Sequence, residues 1–516
     1  MSRSPASMPP ARTAGAARAL AAAALFLLAA ASPAPAQIDF IPFPPLEAGP
    51  GSGFSTLASP YVRTLLPGVT IHPILTVGDT LLAADPDEAP YVFYPLPDGI
   101  GARQAGKGLV EVTVTHDLEW EDGLGGARVS RLLLDQRSAG VVAADYVLDG
   151  HEEFRGLGAA SLAGTREGFL APTLLINEES TDGPRRGVVA AIDLRNGTLT
   201  TLPGLGRLPH RATAIVPISS GRVAAIATMG TDVGATQLFL YLADSDSDFL
   251  AGRGQLYVFR ADRPDFGENT RVASMASKAR PLRGRFVPVA LPSELPLSNQ
   301  PAALEGRAQS VGCLNFSRLE DAAPDGERID AFYVADAGDA NWADPVTGRP
   351  VTANGRLYHV SLDPVDPTVV TQLEVVLDGD ESDDLYRPRD IATRDNVVMI
   401  QEDPGRRGIR PSRILRYDTQ TRRLTALIAC AERDSRGRLL PEGTGGAWST
   451  TGIVDVSDWF GDDTWLFAVR ATTLRTAPFR DLGGGGQLLL LRGPNAAPPR
   501  PAKRARDGSK KDDSGD

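Results

Sequence analysis

Gly254-Gln255-Leu256-Tyr257-Val258-Phe259-Arg260-Ala261-Asp262 is the clearest example of a pattern that returns along the chain. A turn residue is followed by an alternating apolar run that often ends at Asp, which is typical of a half-buried β-strand. Similar runs occupy 186–193, 355–363, 412–418 and 486–491. Repetition of one strand motif predicts a protein built from repeated β-sheet units.

Two of these runs continue into hairpins. Asp193 leads through Arg195-Asn196-Gly197 into Thr198–Leu202, and Asn-Gly between two alternating runs is a strong hairpin signal. Asp418 leads through a short turn into Leu424–Ile428. Further strands are predicted at Leu109–Thr115, Ala212–Val216, Arg222–Thr228, Gln237–Leu242, Ala331–Ala335, Val397–Gln401 and Trp465–Val469.

The spacing of these strands predicts an all-β fold. The chain has 53 Gly and 41 Pro and little helical periodicity, which indicates either a β-propeller or a large sandwich. Because the repeats are unequally spaced, a propeller would be irregular, and one large domain is expected. The long insertions Glu268–Gln309 and Asn341–Ala353 are expected to be surface loops, where binding sites often lie.

The beginning of the chain has the order of a secretory signal peptide. Arg3, Arg12 and Arg18 precede the apolar run Ala19–Ala30, and Ala34-Pro35-Ala36 is a small-residue cleavage site. Residues 1–36 are therefore predicted to direct the protein to the periplasm or the exterior and to be removed, with an uncleaved anchor as the alternative. No later segment has the length and apolar character of a membrane span.

The last residues, 493–516, are predicted to form a disordered tail because they contain almost nothing to bury. Removing the three leader arginines and the tail's excess of two positive charges changes the net charge from −11 to −16 for residues 37–492. An acidic body of this kind disfavours nucleic acid as a partner. Only Cys313 and Cys430 are present, so at most one disulfide is available, and their pairing is left open.

Several short motifs occur in a fixed order between Asp122 and Arg492. They are Asp122–Gly126, Ile176–Ser180, Leu202–His210, Gln237–Tyr241, Ala251–Tyr257, Phe316–Asp321, Gln401–Gly405 and Gly452–Ser457. Taken in this order, they resemble the PhoX-like alkaline phosphatase family. The resemblance implies a propeller whose central end holds calcium, and in some members iron, for the hydrolysis of phosphate monoesters.

Carboxylates at the matching positions are expected to hold metal, because bound cations neutralise phosphoryl oxygens and lower the pKa of a bound water. They are Glu178, Glu179, Glu320, Glu402, Asp403 and Asp455. Since neighbouring side chains on a strand alternate, only one of Glu178 and Glu179 should point inward. The ordinary alternative for this pair is exposed charge at the end of an apolar strand.

Arg318 and His210 complete the expected site. The guanidinium of Arg318 suits two-point binding of a phosphate, and His210 could ligate a metal or donate a proton. The alternatives are a surface ion pair between Arg318 and Glu320 and a histidine that only ends a strand. On this hypothesis the protein is a monomeric, exported, calcium-dependent phosphomonoesterase that acts on a small phosphorylated substrate.

Some residues depart from the family pattern. Arg211 follows His210 where the family has Glu, which reverses the charge at a position expected to hold metal. The family's iron-binding Cys is missing from Phe154–Ala160, so iron with a thiolate ligand is not expected. Trp448–Thr451 and Arg470 also replace acidic and His-containing stretches. These departures favour a second hypothesis, a propeller that has lost catalysis and serves as an extracytoplasmic binding module; a calcium lactonase or esterase is a third.

Overall fold

Antiparallel β-strands make up most of the protein. The structure is a computed structural model that describes residues 38–40, 53–81, 89–119, 125–230, 235–262, 276–343, 348, 350–381, 383–404, 410–433, 438–440, 447–474, 479, 484–494 and 496. The chain divides into two units, Met1–Ala31 and Ser32–Asp516. The predicted signal peptide, 1–36, and the predicted tail from residue 497 onward lie outside the described residues.

Five short strands come first in the chain. They are β1 (Ile38–Phe40), β2 (Val62–Thr64), β3 (Thr70–Thr76), β4 (Thr80–Leu81) and β5 (Tyr91–Val92). The last two form a small hairpin, and the first three add edge strands to sheets formed by later parts of the chain.

Within the described residues, the later strands together with β3 form six four-stranded blades, each running outward from an inner strand. Blade 1 contains β6 (Pro97–Gly106), β7 (Leu109–His116), β8 (Arg128–Asp135) and β9 (Val141–Leu148). Blade 2 contains β10 (Leu157–Ala163), β11 (Thr173–Glu178), β12 (Val189–Asp193) and β13 (Thr198–Thr201). Blade 3 contains β14 (His210–Val216), β15 (Val223–Met229), β16 (Leu238–Ala243) and β17 (Gln255–Ala261). Helix α1 (Asp246–Leu250) separates β16 from β17.

The insertion after blade 3 contributes β18 (Leu282–Pro288) and α2 (Gln300–Ser310). Blade 4 contains β19 (Leu319–Pro324), β20 (Ala331–Asp336), β21 (Arg356–Leu362) and β22 (Val369–Asp378). Blade 5 contains β23 (Pro388–Arg394), β24 (Val397–Glu402), β25 (Arg413–Asp418) and β26 (Arg423–Cys430). Blade 6 contains β27 (Ser449–Asp455), β28 (Thr464–Ala471) and β29 (Gly485–Arg492) together with β3. Helix α3 (Ser457–Phe460) lies between β27 and β28.

The inner strands form a closed ring. Each of β6, β10, β14, β19, β23 and β27 contacts the next, and β27 returns to β6. Blade 6 is completed by β3, which pairs with β29 in the register His72↔Leu490, so both ends of the described chain close the ring. Strand β18 pairs with both β17 and β22 and joins blades 3 and 4 into one nine-stranded sheet. This join makes the propeller irregular, as the unequal repeat spacing predicts.

The apolar core lies between neighbouring blades. Leu175 of blade 2 packs in one cluster with Ile215 and Ala225 of blade 3. Leu357 of blade 4 shares another cluster with Ile391 of blade 5. Because each sheet buries both faces against its neighbours, most central strands are apolar on both sides, and this burial drives closure of the ring.

The prediction of an all-β, irregular propeller is confirmed, and four of the five quoted repeats are the third strands of their blades. The Asp193↔Thr198 pairing closes the predicted Asn-Gly hairpin. The prediction of a plain loop over Glu268–Gln309 is wrong for its described part, 276–309, which contains β18 and most of α2. Cys313 and Cys430 are both buried and are not joined by a disulfide.

No helix in the described part of the chain is long and apolar enough to cross a membrane.

Candidate functional site

Strand geometry brings charged residues together at one end of the ring. In each blade the inner strand begins beside the end of the second strand, as in the pairs Leu157↔Glu178, Pro388↔Glu402 and Ser449↔Arg470. A residue just after the second strand therefore lies next to the start of the inner strand. Residues far apart in sequence meet here because all six inner strands begin at the same end.

Each inner strand also has a register irregularity near its beginning. The shifts occur between Pro97/Ile100, Leu157/Ala160, His210/Ala212, Leu319/Asp321, Pro388/Ile391 and Thr451/Ile453. Such irregularities interrupt the alternation of side chains and re-aim them, often beside functional sites. Period-two reasoning therefore does not by itself predict which side chains of the inner strands face the axis.

The charged side chains at this end are called the axial cluster. Its members are Asp98, Asp117, Glu179, Arg211, Arg318, Glu320, Arg387, Arg389, Asp390, Asp403 and Arg470. Contributions come from all six blades, so the cluster lies across the middle of the ring.

One chain of alternating charges crosses blades 2 to 5. Arg211 Nη1 lies 2.5 Å from Glu179 Oε2, and Arg211 Nε lies 3.5 Å from Glu320 Oε2. Arg318 continues the chain, with Nε 2.5 Å from Glu320 Oε1 and Nη2 3.8 Å from Asp403 Oδ2. Beyond it, Arg387 Nη2 lies 3.3 Å from the same Asp403 oxygen. Each carboxylate of this chain faces at least one guanidinium.

A second chain joins blades 5, 1 and 6. Asp98 accepts a hydrogen bond of 3.0 Å from Arg389 Nη2, and Arg470 Nη2 donates to the same oxygen. Arg470 Nη1 lies 2.7 Å from Asp117 Oδ2, and Arg389 Nε lies 3.7 Å from Asp390 Oδ1. The buried Asp98 thus holds two guanidiniums in place.

Burial changes the protonation of two carboxyls in the cluster. Burial, reinforced by the charge of Glu179, raises the pKa of Asp117 to about 7. Burial also raises the pKa of Asp390, against the influence of Arg389. Both carboxyls are therefore easier to protonate than an exposed Asp, which lowers the negative charge that faces the guanidiniums.

Arg318 differs from the other arginines of the cluster. Its side chain retains 23% exposure, the largest value among them. Its Nε and Glu320 Oε1 are close but not aligned for a hydrogen bond, and neither atom has another partner among the described residues. Arg318 thus combines access to the middle of the ring with unused donor capacity.

The backbone of Arg318 is firmly anchored although its side chain is not. The fully buried Asp336, at the end of β20, accepts hydrogen bonds from the N–H groups of Ser317, Arg318 and Gly338 at 3.1, 2.8 and 2.9 Å. The carbonyl of Arg318 accepts from Ala337 N at 2.8 Å. These contacts fix the point from which the guanidinium extends.

Among the residues singled out from the sequence, Glu179, Arg318, Glu320 and Asp403 come together in the axial cluster. The neighbouring Glu178 points elsewhere and is buried, where it accepts hydrogen bonds from the N–H groups of Arg155, Gly187 and Val188. Burial raises the pKa of Glu178 to about 7. The alternation expected for this pair thus separates an axial glutamate from one that organises the backbone.

Three other predicted residues lie away from the axial cluster. Glu402 is buried and receives hydrogen bonds from Arg413 at 2.7 and 2.9 Å. Asp455 stands at the opposite end of its inner strand and pairs with Arg394 at 2.6 Å. The buried ring of His210 makes a 3.1 Å hydrogen bond with the carbonyl of Gly206, and burial lowers its pKa to about 4. His210 and Arg211 are neighbours in sequence, but only the side chain of Arg211 belongs to the axial cluster.

Sequence reasoning did not select Asp98, Asp117, Arg387, Arg389 or Asp390 as site residues, and it treated Arg211 and Arg470 only as departures from a family pattern. Their shared signal is position: each lies within three residues of the start of an inner strand or the end of a second strand. Recognising it requires knowing which strands are innermost.

The residues that converge do not fit a calcium site. Calcium takes six to eight oxygen ligands, whereas Glu179, Glu320 and Asp403 each face a guanidinium. Glu178, Glu402 and Asp455, the other expected ligands, are paired elsewhere. Among the described residues, no group of three or more His, Cys, Asp or Glu side chains is placed to hold a metal ion.

Among the described residues, fold and site together define a six-bladed β-propeller whose axial site contains five arginines and six carboxylates. No family model matches the chain, and no curated protein sequence is significantly similar to it. Among solved structures, Pseudomonas fluorescens PhoX in complex with vanadate superposes with a TM-score of 0.60 at 14% identity, covering 85% of this chain and 98% of that one. A protein of unknown function from Dyadobacter fermentans has a TM-score of 0.42 at 11% identity, covering 83% and 100%. At 14% identity, the likeness to PhoX shows the fold alone.

Proposed function

We propose that the axial cluster binds the phosphate group of a small phosphorylated molecule, with Arg318 as its principal contact. The observation that carries this proposal is the guanidinium of Arg318, which faces Glu320 and Asp403 but is the most exposed of the cluster and donates no aligned hydrogen bond to the described residues. A planar guanidinium matches two phosphate oxygens at once, and charge-assisted hydrogen bonds of this kind are strong.

The surrounding charges support an anionic ligand. Arg211 shares Glu320 with Arg318, and Arg387 shares Asp403 with it, while the raised pKa of Asp117 reduces the opposing negative charge near neutral pH. A phosphate that enters the middle of the ring would therefore meet several cations. In this proposal residues 1–36 export the protein, which meets its ligand outside the cytoplasm as a binding module.

Hydrolysis of the bound phosphate monoester, as in an alkaline phosphatase, is the second candidate. Asp117 favours it, because a carboxyl with a pKa of about 7 can hold a proton for a leaving group at neutral pH. Its side chain is partly exposed and is oriented by Arg470. The calcium-dependent form of this reaction would need ligands that the axial carboxylates, paired with arginines, are poorly arranged to supply.

Calorimetric titration with inorganic phosphate and with p-nitrophenyl phosphate tests binding. We expect the wild-type protein to bind both, Arg318→Gln to lose most of the affinity, and Arg318→Lys to keep part of it. Arg195→Gln is the matched control because Arg195 is an exposed arginine in the β12–β13 hairpin. Equal affinities in wild type and Arg318→Gln would contradict the proposal.

The two candidates differ in turnover. Release of p-nitrophenol, followed from pH 6 to 10 with calcium and with chelator, separates them. Binding without release supports a binding module. Release that depends on Asp117, measured with Asp117→Asn, supports hydrolysis, and release that requires calcium supports the PhoX-type reaction.

A further inference from the structure

Arg211 occupies the place between the two axial glutamates. It extends from blade 3, while Glu179 comes from blade 2 and Glu320 from blade 4. Its Nη1 donates to Glu179 and its Nε faces Glu320. One side chain thus bridges three blades at the middle of the ring.

The neighbouring backbone is shaped around this bridge. A Cβ atom at Gly230 would collide with the side chain of Arg211, and a Cβ atom at Gly158 would collide with the carboxylate of Glu179. Glycine at these two positions leaves space for the ion pair. Arg211 is therefore packed into its position by the ends of β10 and β15.

Arg211 stays positively charged at this position. Burial opposes its charged form, but Glu179 and Glu320 outweigh burial and raise the pKa of Arg211 above its ordinary value. A guanidinium placed between two carboxylates offsets one of their two negative charges and repels a second cation from the same space. A divalent ion that entered this space would have to displace Arg211 or overcome its repulsion.

We infer that Arg211 is a built-in cation of the axial site, so that the site takes up an oxyanion without any divalent metal. The inference deepens the proposed phosphate binding and rests on it for the identity of the ligand. It predicts that removal of Arg211 leaves Glu179 without its guanidinium and Glu320 with Arg318 alone, so that the two carboxylates attract calcium more strongly than in the wild type.

Calcium titration of the full chain tests the inference without any phosphate. We expect the wild-type protein to show no calcium binding that depends on Glu179, measured as the difference between wild type and Glu179→Gln. Arg211→Gln should gain calcium affinity by at least tenfold, and Glu179→Gln added to it should abolish the gain. The difference with Glu179→Gln separates the axial site from calcium bound by surface carboxylates.

Two results would overturn the inference. One is wild-type calcium binding that Glu179→Gln removes, which needs no Arg211 variant and therefore does not depend on whether that variant folds. The other is a folded Arg211→Gln protein, checked by circular dichroism and thermal melting, that gains no calcium affinity.

Phosphate titration in chelator and in calcium then addresses the ligand separately. Equal phosphate affinity in both buffers supports the inference, and phosphate binding only in calcium overturns it while leaving the proposed function intact. Loss of phosphate binding in both buffers would contradict the proposed function, and the calcium titrations alone would then decide the role of Arg211.

Discussion

Two arginine-carboxylate clusters of this protein look alike in composition and differ in how completely the hydrogen bonds of their buried glutamate are satisfied. In the cluster formed by Asp384, Glu402, Arg410 and Arg413, here called the outer cluster, the 1%-exposed Glu402 receives four hydrogen bonds, including two from Arg413. In the axial cluster, Arg318 and Glu320 stand 2.5 Å apart without an aligned hydrogen bond.

The difference shows that charge density alone does not indicate a binding site. A saturated pair uses all its donors internally and holds the fold together, whereas an unsaturated guanidinium keeps donors for a ligand. The outer cluster should therefore control stability and the axial cluster should control binding.

The largest expected effect belongs to the outer cluster. Arg413→Ala removes two of the four hydrogen bonds to the buried Glu402 and leaves those from Arg410 and the Tyr386 N–H. It should lower the free energy of unfolding by about 3 kcal/mol, because two charge-assisted hydrogen bonds to a buried carboxylate are lost. Urea denaturation measures this loss. Phosphate affinity should be unchanged at temperatures where the variant is folded. A loss of stability under about 1 kcal/mol would break the comparison.

Arg318→Gln should show the reverse behaviour. We expect phosphate affinity to fall roughly 100-fold, equivalent to about 3 kcal/mol, because a charge-assisted two-point contact is lost. The free energy of unfolding should change by less than about 1 kcal/mol, since the native side chain makes no aligned hydrogen bond. Calorimetry and denaturation of the same preparation check both expectations. A large loss of stability with unchanged phosphate affinity would show that Arg318 stabilises the fold and does not bind phosphate.

His116 is a buried group that makes its hydrogen bonds in the neutral form, and it gives a further test of how buried groups contribute to stability. His116 contacts the Pro95 carbonyl at 3.0 Å and Ser130 Oγ at 2.8 Å, and burial lowers its pKa to about 4. The unfolded chain binds a proton near pH 6.5. The contribution of this group is therefore complete above about pH 6.5 and is lost as the pH falls toward 4.

Comparison of wild type with His116→Gln isolates this effect, because His210 titrates in the same direction in both proteins. Between pH 7 and 4.5, the wild-type free energy of unfolding should fall by on the order of 2 kcal/mol more than that of the variant. Parallel pH profiles of the two proteins would contradict the expectation.

The smallest effect is expected at an exposed pair. Arg195 and Asp193 lie 2.9 Å apart in a hairpin, and the arginine side chain is more than half exposed. Arg195→Ala should change the free energy of unfolding by less than about 0.5 kcal/mol, because solvent screens such pairs. A thermal melt at low and high salt measures it, and a loss comparable to that of Arg413→Ala would remove the distinction between buried and exposed pairs.

Part of the candidate site could be anticipated from sequence. Because Glu178 ends a strand, the alternation of side chains predicted that only one of Glu178 and Glu179 points inward. Arg318 and Glu320 were predicted as site residues from a short motif. Glu402 and Asp455 matched the same family pattern but lie elsewhere, because a motif gives the strand and leaves open which end and face its side chains reach. Asp98 and Arg389 carry no motif, and only the ring places them together.

The sequence by itself determined the strands, since alternating apolar residues and turn signals act over a few neighbours. The tertiary structure alone decided which charges meet. Asp98 and Arg470 are separated by 372 positions, and their contact exists because ring closure aligns the ends of inner and second strands. Irregular pairing at those ends also redirects side chains, so the balance of guanidiniums and carboxylates depends on six blades closing around one axis.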